Sequence, residues 1–181
     1  MADVNEECAR AFFESCNFLV RTNVTYYFQP AGNVGNDSDI DLVVCNVNPD
    51  IQYAPPNFVL LEEDLKGIHH ASVECKGWHN DNFTPSLINE NPDIFNFARP
   101  EAVTKAAEVL GTNMFKKILI VSSLSPNQPY RQNSIHILLE HGIDHVIEFQ
   151  TIVAKLWNVV QLNKDYKSEI LQTIRLIKKY H

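Results

Sequence analysis

The chain has no apolar run near the roughly 18 residues that a membrane-crossing helix requires. Residues 1–10 are polar and acidic, where a secretory signal needs a basic start and an apolar stretch. Paired cysteines are also missing: Cys8, Cys16, Cys45 and Cys75 are scattered, with no C-x-x-C and no zinc-site spacing. Free thiols in a soluble, cytoplasmic protein are therefore expected, rather than disulfides or structural zinc. Basic charge is scarce, with 15 Lys+Arg against 22 Asp+Glu and a net charge of −7. That balance argues against a generic nucleic-acid coat, which would show a basic footprint, an objection that weakens once the charge is split along the chain. Repeats and low-complexity tracts are absent, and so is the composition of a disordered or collagen-like chain.

What is present suits one globular domain spanning residues 1–181, with 45% hydrophobic and 20% charged residues. The charge is uneven. Residues 1–100 hold 15 acidic and 5 basic side chains, whereas residues 101–181 hold 7 and 10.

Residues 5–17 carry Cys8, Ala9, Phe12, Phe13 and Cys16 on one helical face. Residues 18–28, rich in β-branched and aromatic side chains, read as a strand that ends at Pro30 and Gly32. Short strands are expected at 40–46 and 71–76, with 58–61 leading into the latter. Residues 77–100, long and aperiodic, read as a loop and candidate lid. A helix at 100–110 starts with Pro100 and stops at Gly111. A buried strand at 118–124, a helix at 133–141, a strand at 145–149 and one or two helices over 151–180 complete the order. This succession predicts an α/β fold, a mixed central sheet flanked by helices.

The chemistry concentrates at two strand ends. Asp41 opens the strand at 40–46, and Glu74-Cys75-Lys76 closes the strand at 71–76. Strand side chains alternate, so Glu74 and Lys76 share a face and Cys75 points away. If the two strands pair, Asp41 and Glu74 converge on one divalent cation, with the Cys75 backbone carbonyl as a further ligand. Two carboxylates, a carbonyl and waters suit Mg²⁺ (or Mn²⁺). Lys76 would orient a water or neutralise developing charge.

These residues resemble the PD-(D/E)xK nuclease superfamily, which includes many restriction enzymes and small resolvase-like members. Glu6, Ala9, Phe12, Phe13, Asn17 and Phe18 stand where members carry a patterned first helix, with Phe13 for the usual Leu and Asn17 for the usual Gly. Ser38-Asp39-Ile40-Asp41-Leu42 resembles the Gly-Glu-Ile-Asp-Leu motif of small bacterial members. The likeness covers roughly residues 6–124. It implies a restriction-endonuclease-like fold and Mg²⁺-dependent (or Mn²⁺-dependent) hydrolysis of DNA. Asp41, Glu74 and Lys76 would then be catalytic, and Glu6 a helix-borne carboxylate for a water or second metal. Asp39 and His79 are accessory candidates, and Trp78 could stack on a base. A homodimer would serve two scissile strands, and no membrane partner is expected.

Other readings remain open. Residues 32–44 also look like the Gly-Ser…Asp-x-Asp-Leu motif of minimal nucleotidyltransferases, with Asp39 and Asp41 as metal ligands but Asn33 in place of Ser. A third reading is an idle nuclease fold used for binding. At the C-terminus, Ile170, Leu171, Ile174 and Ile177 form an apolar helix face. Arg175, Lys178 and Lys179 are then either outward phosphate contacts or cations complementing the helix dipole.

Overall fold

The computed structural model describes residues 3–29, 35–77 and 82–180. Five strands, β1 (Phe18–Phe28), β2 (Asn36–Asn46), β3 (His70–Lys76), β4 (Lys116–Val121) and β5 (His145–Glu148), form one sheet in sequential order. The β1–β2 and β2–β3 pairs are antiparallel, and the β3–β4 and β4–β5 pairs are parallel. Among the described residues the helices are α1 (Val4–Ser15), α2 (Pro85–Glu90), α3 (Pro100–Leu110), α4 (Gln128–Glu140), α5 (Phe149–Val159) and α6 (Glu169–Tyr180). The mixed α/β architecture expected from the sequence is the one observed.

Each sheet face has its own core. On the first, Ala9, Phe12 and Phe13 of α1 and Ile152 and Leu156 of α5 pack over Leu42, Val44, Val73, Ile118 and Ile120. On the second, Ala102 and Ala106 of α3, Leu138 of α4 and Ile88 of α2 cover Ile40, Val43, Leu119 and Val121. β4 is buried on both faces, which is why it reads as an unbroken apolar run.

Local chemistry sets the element ends. The Asp3 side chain accepts a hydrogen bond from the Asn5 amide at the start of α1, while Asn17 beyond its end takes a left-handed φ of 66°. Gly111, at φ 69°, stops α3 as expected. Other ends differ from the sequence reading. β2 begins at Asn36 because residues 36–39 pair with β1, and this supplies a ladder to residues of poor strand propensity. α4 begins at Gln128, where Pro129 is preorganised for a first turn; its periodicity is weak because only Ser134 and Leu138 are buried. Residues 58–61 make a single parallel bridge, Val59 to Val146, beside β5 rather than leading β3.

The candidate lid is corrected. The described part of residues 77–100 contains α2 and a 3-10 turn at Pro92–Ala98, and Phe83, Ile88, Ile94 and Phe97 are buried in the second core. Their spacing follows no single period because each is placed by a different neighbour, so the segment is a packed wall. The four thiols are free; Cys75 is buried, and Cys8, Cys16 and Cys45 are half-buried. No described helix is long and apolar enough to cross a membrane.

Candidate metal-binding and catalytic site

β2 and β3 pair as neighbours, and their ladder ends at Leu42 opposite Val73. One step further, the strands part. There the Asp41 carboxylate replaces a strand partner: its Oδ2 accepts the Cys75 amide proton at 2.6 Å. Glu74 and Lys76 share a face as the period-two rule requires, while Cys75 enters the first core. The Lys76 ammonium lies 2.7 Å from Glu74 Oε1. Glu74 Oε2 is buried without a hydrogen-bond partner.

Asp41, Glu74 and Lys76 line an open cavity of about 500 Å³ together with Phe28, Asn36, Asp37, Ser38, Asp39, Asp93 and Asn96. The structure therefore gathers Asp41, Glu74, Lys76 and Asp39 around one space. Asp39 reaches it although the strand does not alternate regularly here. Asp93 and Asn96 were not singled out in the sequence: they come from the 3-10 turn in an aperiodic segment, and only the Asn-Pro-Asp start at Asn91 marks it as a helical entry.

Glu6 approaches from α1 and does not line the cavity, but it belongs to the same electrostatic group. The start of α1 packs on the end of β3, where a Cβ on Gly77 would collide with the Asn5 side chain. Burial, followed by repulsion from Asp41, Asp3 and Asp39, raises the Glu6 pKa to about 7. His79, Trp78, Gly32 and Asn33 lie outside the described residues.

Burial, then the Asp41 charge, pushes the Glu74 pKa up to about 8 despite its ion pair. Asp41 is raised by burial, against the pull of the Cys75 amide and Lys76. Burial works against the Lys76 charge, but the attraction of Glu74 and Asp41 leaves its pKa raised. These directions agree: one ammonium faces two buried carboxylates, so one surplus negative charge remains for a proton or a cation to neutralise.

The donor set fits a hard divalent cation on this evidence of charge and on the orphaned Glu74 Oε2. Among the described residues, no three His, Cys, Asp or Glu side chains gather closely enough to cage a metal unaided. A cation here would rest on Asp41, Glu74, a carbonyl such as that of Cys75, and waters, a set that Mg²⁺ accepts.

The C-terminal cations are placed differently from the phosphate-binding expectation. Lys178 Nζ donates to the Trp157 and Val160 carbonyls at 2.7 and 2.8 Å, closing the end of α5. Arg175 Nε donates to the Leu162 carbonyl at 3.0 Å, and its Nη1 pairs with Asp165 at 3.2 Å. Lys179 lies 5.3 Å from the Tyr180 ring centre. Lys116 and Lys117 both pair with Asp144.

No family model, curated protein or solved structure matches the chain.

Proposed function

We propose that this protein is a Mg²⁺-dependent (or Mn²⁺-dependent) nuclease that hydrolyses DNA phosphodiesters. The observation that carries the reading is the buried Asp41–Glu74 pair, with an unpartnered carboxylate oxygen and Lys76 on the same cavity. The resemblance of the sequence to PD-(D/E)xK nucleases supports the same assignment, as does the order of elements around the site.

Asp41 and Glu74 would hold the cation, and the amide of Cys75 fixes the Asp41 carboxylate in place. A divalent ion there supplies Lewis acidity toward water and a phosphate oxygen. Hydrolysis forms one P–O bond to water and breaks one to the leaving sugar oxygen, which takes up a proton. Lys76 contributes positive charge beside the phosphate and a donor that orients the water. Glu6, with a pKa of about 7, is suited to hold or release a proton at neutral pH.

The test is a divalent-cation titration against duplex, junction and single-stranded DNA and RNA. Cation-dependent cleavage that disappears in Asp41→Asn and Glu74→Ala supports the assignment. Undiminished cleavage by either variant sinks it. A symmetric dimer, testable by sedimentation, would serve two strands, and the free thiols suit a reducing cytoplasm.

Asp39 beside Asp41 in the cavity favours a second reading, nucleotidyl transfer from a nucleoside triphosphate. Incorporation of label from a triphosphate, with no cleavage of the polymer, would select it. Absence of both reactions and of cation binding would leave an idle binding module.

A further inference from the structure

The β1–β2 hairpin changes sheet face partway along. Phe18, Val20, Leu42 and Val44 pack in the first core, whereas Val24, Tyr26, Phe28 and Ile40 pack in the second. Residues two apart in a regular strand share a face, yet Leu42 and Ile40 do not. The switch falls at one level on both strands. The ladder passes from Thr22 opposite Leu42 to Val24 opposite Ile40, and the residues between them are Asn23 and Asp41. No residue is inserted, so this is a crease without a register shift.

Asn23 has a φ of 52° in the middle of β1. This left-handed conformation is accessible to Gly, tolerated by Asn and Asp, and costly for other side chains, most of all β-branched ones. The Asn23 side chain is exposed, so backbone shape is what the position demands.

We infer that Asn23 is the positioning residue for Asp41: its left-handed backbone creases the hairpin at the level where Asp41 leaves the ladder and turns its carboxylate to the Cys75 amide and the cavity. The crease also lets one hairpin serve two cores. Its proximal half meets Phe13 of α1 and its distal half meets Ala102 and Ala106 of α3. Asp41 is therefore placed by the packing of both sheet faces, with Asn23 as the hinge. The role in cation binding rests on the proposed function, but the role in placing the carboxylate does not.

The test compares Asn23→Gly, Asn23→Ala and Asn23→Val in the full chain, by amide hydrogen exchange without metal and by Mn²⁺ calorimetry. The Gly variant should match the wild type in both. The Ala variant should exchange its Cys75 amide about tenfold faster and bind Mn²⁺ about tenfold more weakly, and the Val variant should be worse. The Ala71 and Val73 amides should keep their wild-type exchange, because the lost contact is local. If the Asn23→Val substitution prevents folding, the Gly and Ala variants decide alone. Uniform acceleration along β3, an unchanged Cys75 amide in the Ala variant, or a Gly variant as impaired as Ala would overturn the inference. Failure of the wild type to bind Mn²⁺ while the Cys75 pattern holds would overturn only the cation reading.

Discussion

Glu74 carries the plainest consequence at the scale of single residues. Its folded-state pKa of about 8 lies above the ordinary 4.5, so the fold binds the proton more tightly than the unfolded chain. The associated stability is complete below about pH 4.5 and is lost as pH rises through about 8. Metal-free protein should therefore melt at progressively lower temperature between those limits, with Glu6 adding to the trend. Glu74→Gln cannot ionise, so it should flatten the profile and, at about pH 8, gain roughly 1–3 kcal/mol over the wild type. Thermal melts across the pH range check this, and parallel profiles for the two proteins would refute it. Lys76 behaves differently because it touches a carboxylate without being a cation ligand. Lys76→Ala should reduce turnover by about 10² to 10³ while leaving Mn²⁺ affinity equal or tighter, since a competing charge is gone. Calorimetry showing lost affinity with normal turnover would reverse the roles of Lys76 and Glu74.

Among the elements, α6 was the candidate for gripping phosphate, and two of its three cations, Arg175 and Lys178, are engaged by groups of the chain itself. Lys178 closes the carbonyl end of α5, and Arg175 ties the α5–α6 connection through Leu162 and Asp165. A hydrogen bond to a charged donor contributes about 1.5–3 kcal/mol, and exposed contacts such as Arg175 to Leu162 and Asp165 contribute about 0–1 kcal/mol. Replacing Arg175, Lys178 and Lys179 together by Gln should thus lower stability by about 1–3 kcal/mol, read by urea unfolding. Any nucleic-acid binding should keep its salt dependence to within roughly 0.9 in slope, the share of Lys179 alone. A flattening by two or three times that amount would return the helix to the binding surface.

At the scale of the whole molecule, the two cores meet at a sheet whose strand ends carry the acid. The first 100 residues hold the large excess of carboxylates, and Asp37, Asp39, Asp41, Glu74 and Asp93 bring part of it to one cavity. Repulsion among these groups is what a bound cation would relieve. Mn²⁺ at about 100 times its dissociation constant should stabilise the protein by about 2.7 kcal/mol through linkage, and thermal melts would register the shift. Asp41→Asn should abolish that gain. A cation-induced shift of equal size in the variant would place the binding elsewhere.

Much of this was legible in the sequence because it depends on neighbours along the chain. The β1 strand, the α3 helix with its Pro and Gly boundaries, the first helix with its buried Phe12 and Phe13, and the shared face of Glu74 and Lys76 all follow from periodicity or from residue-specific backbone preference. The tertiary structure decided what depends on distant partners. It packed residues 82–98 as a wall and brought Asp93 and Asn96 to the cavity, because the second core, not a local period, holds Phe83 and Phe97. It set Lys178 on the carbonyls left open at the end of α5 and Arg175 on Leu162 and Asp165 beyond it, partners that no local pattern announces. It also broke the alternation of β2 at Asp41. Period-two reasoning assumes one face for a whole strand, and here one hairpin has to bury its two halves against helices on opposite sides of the sheet.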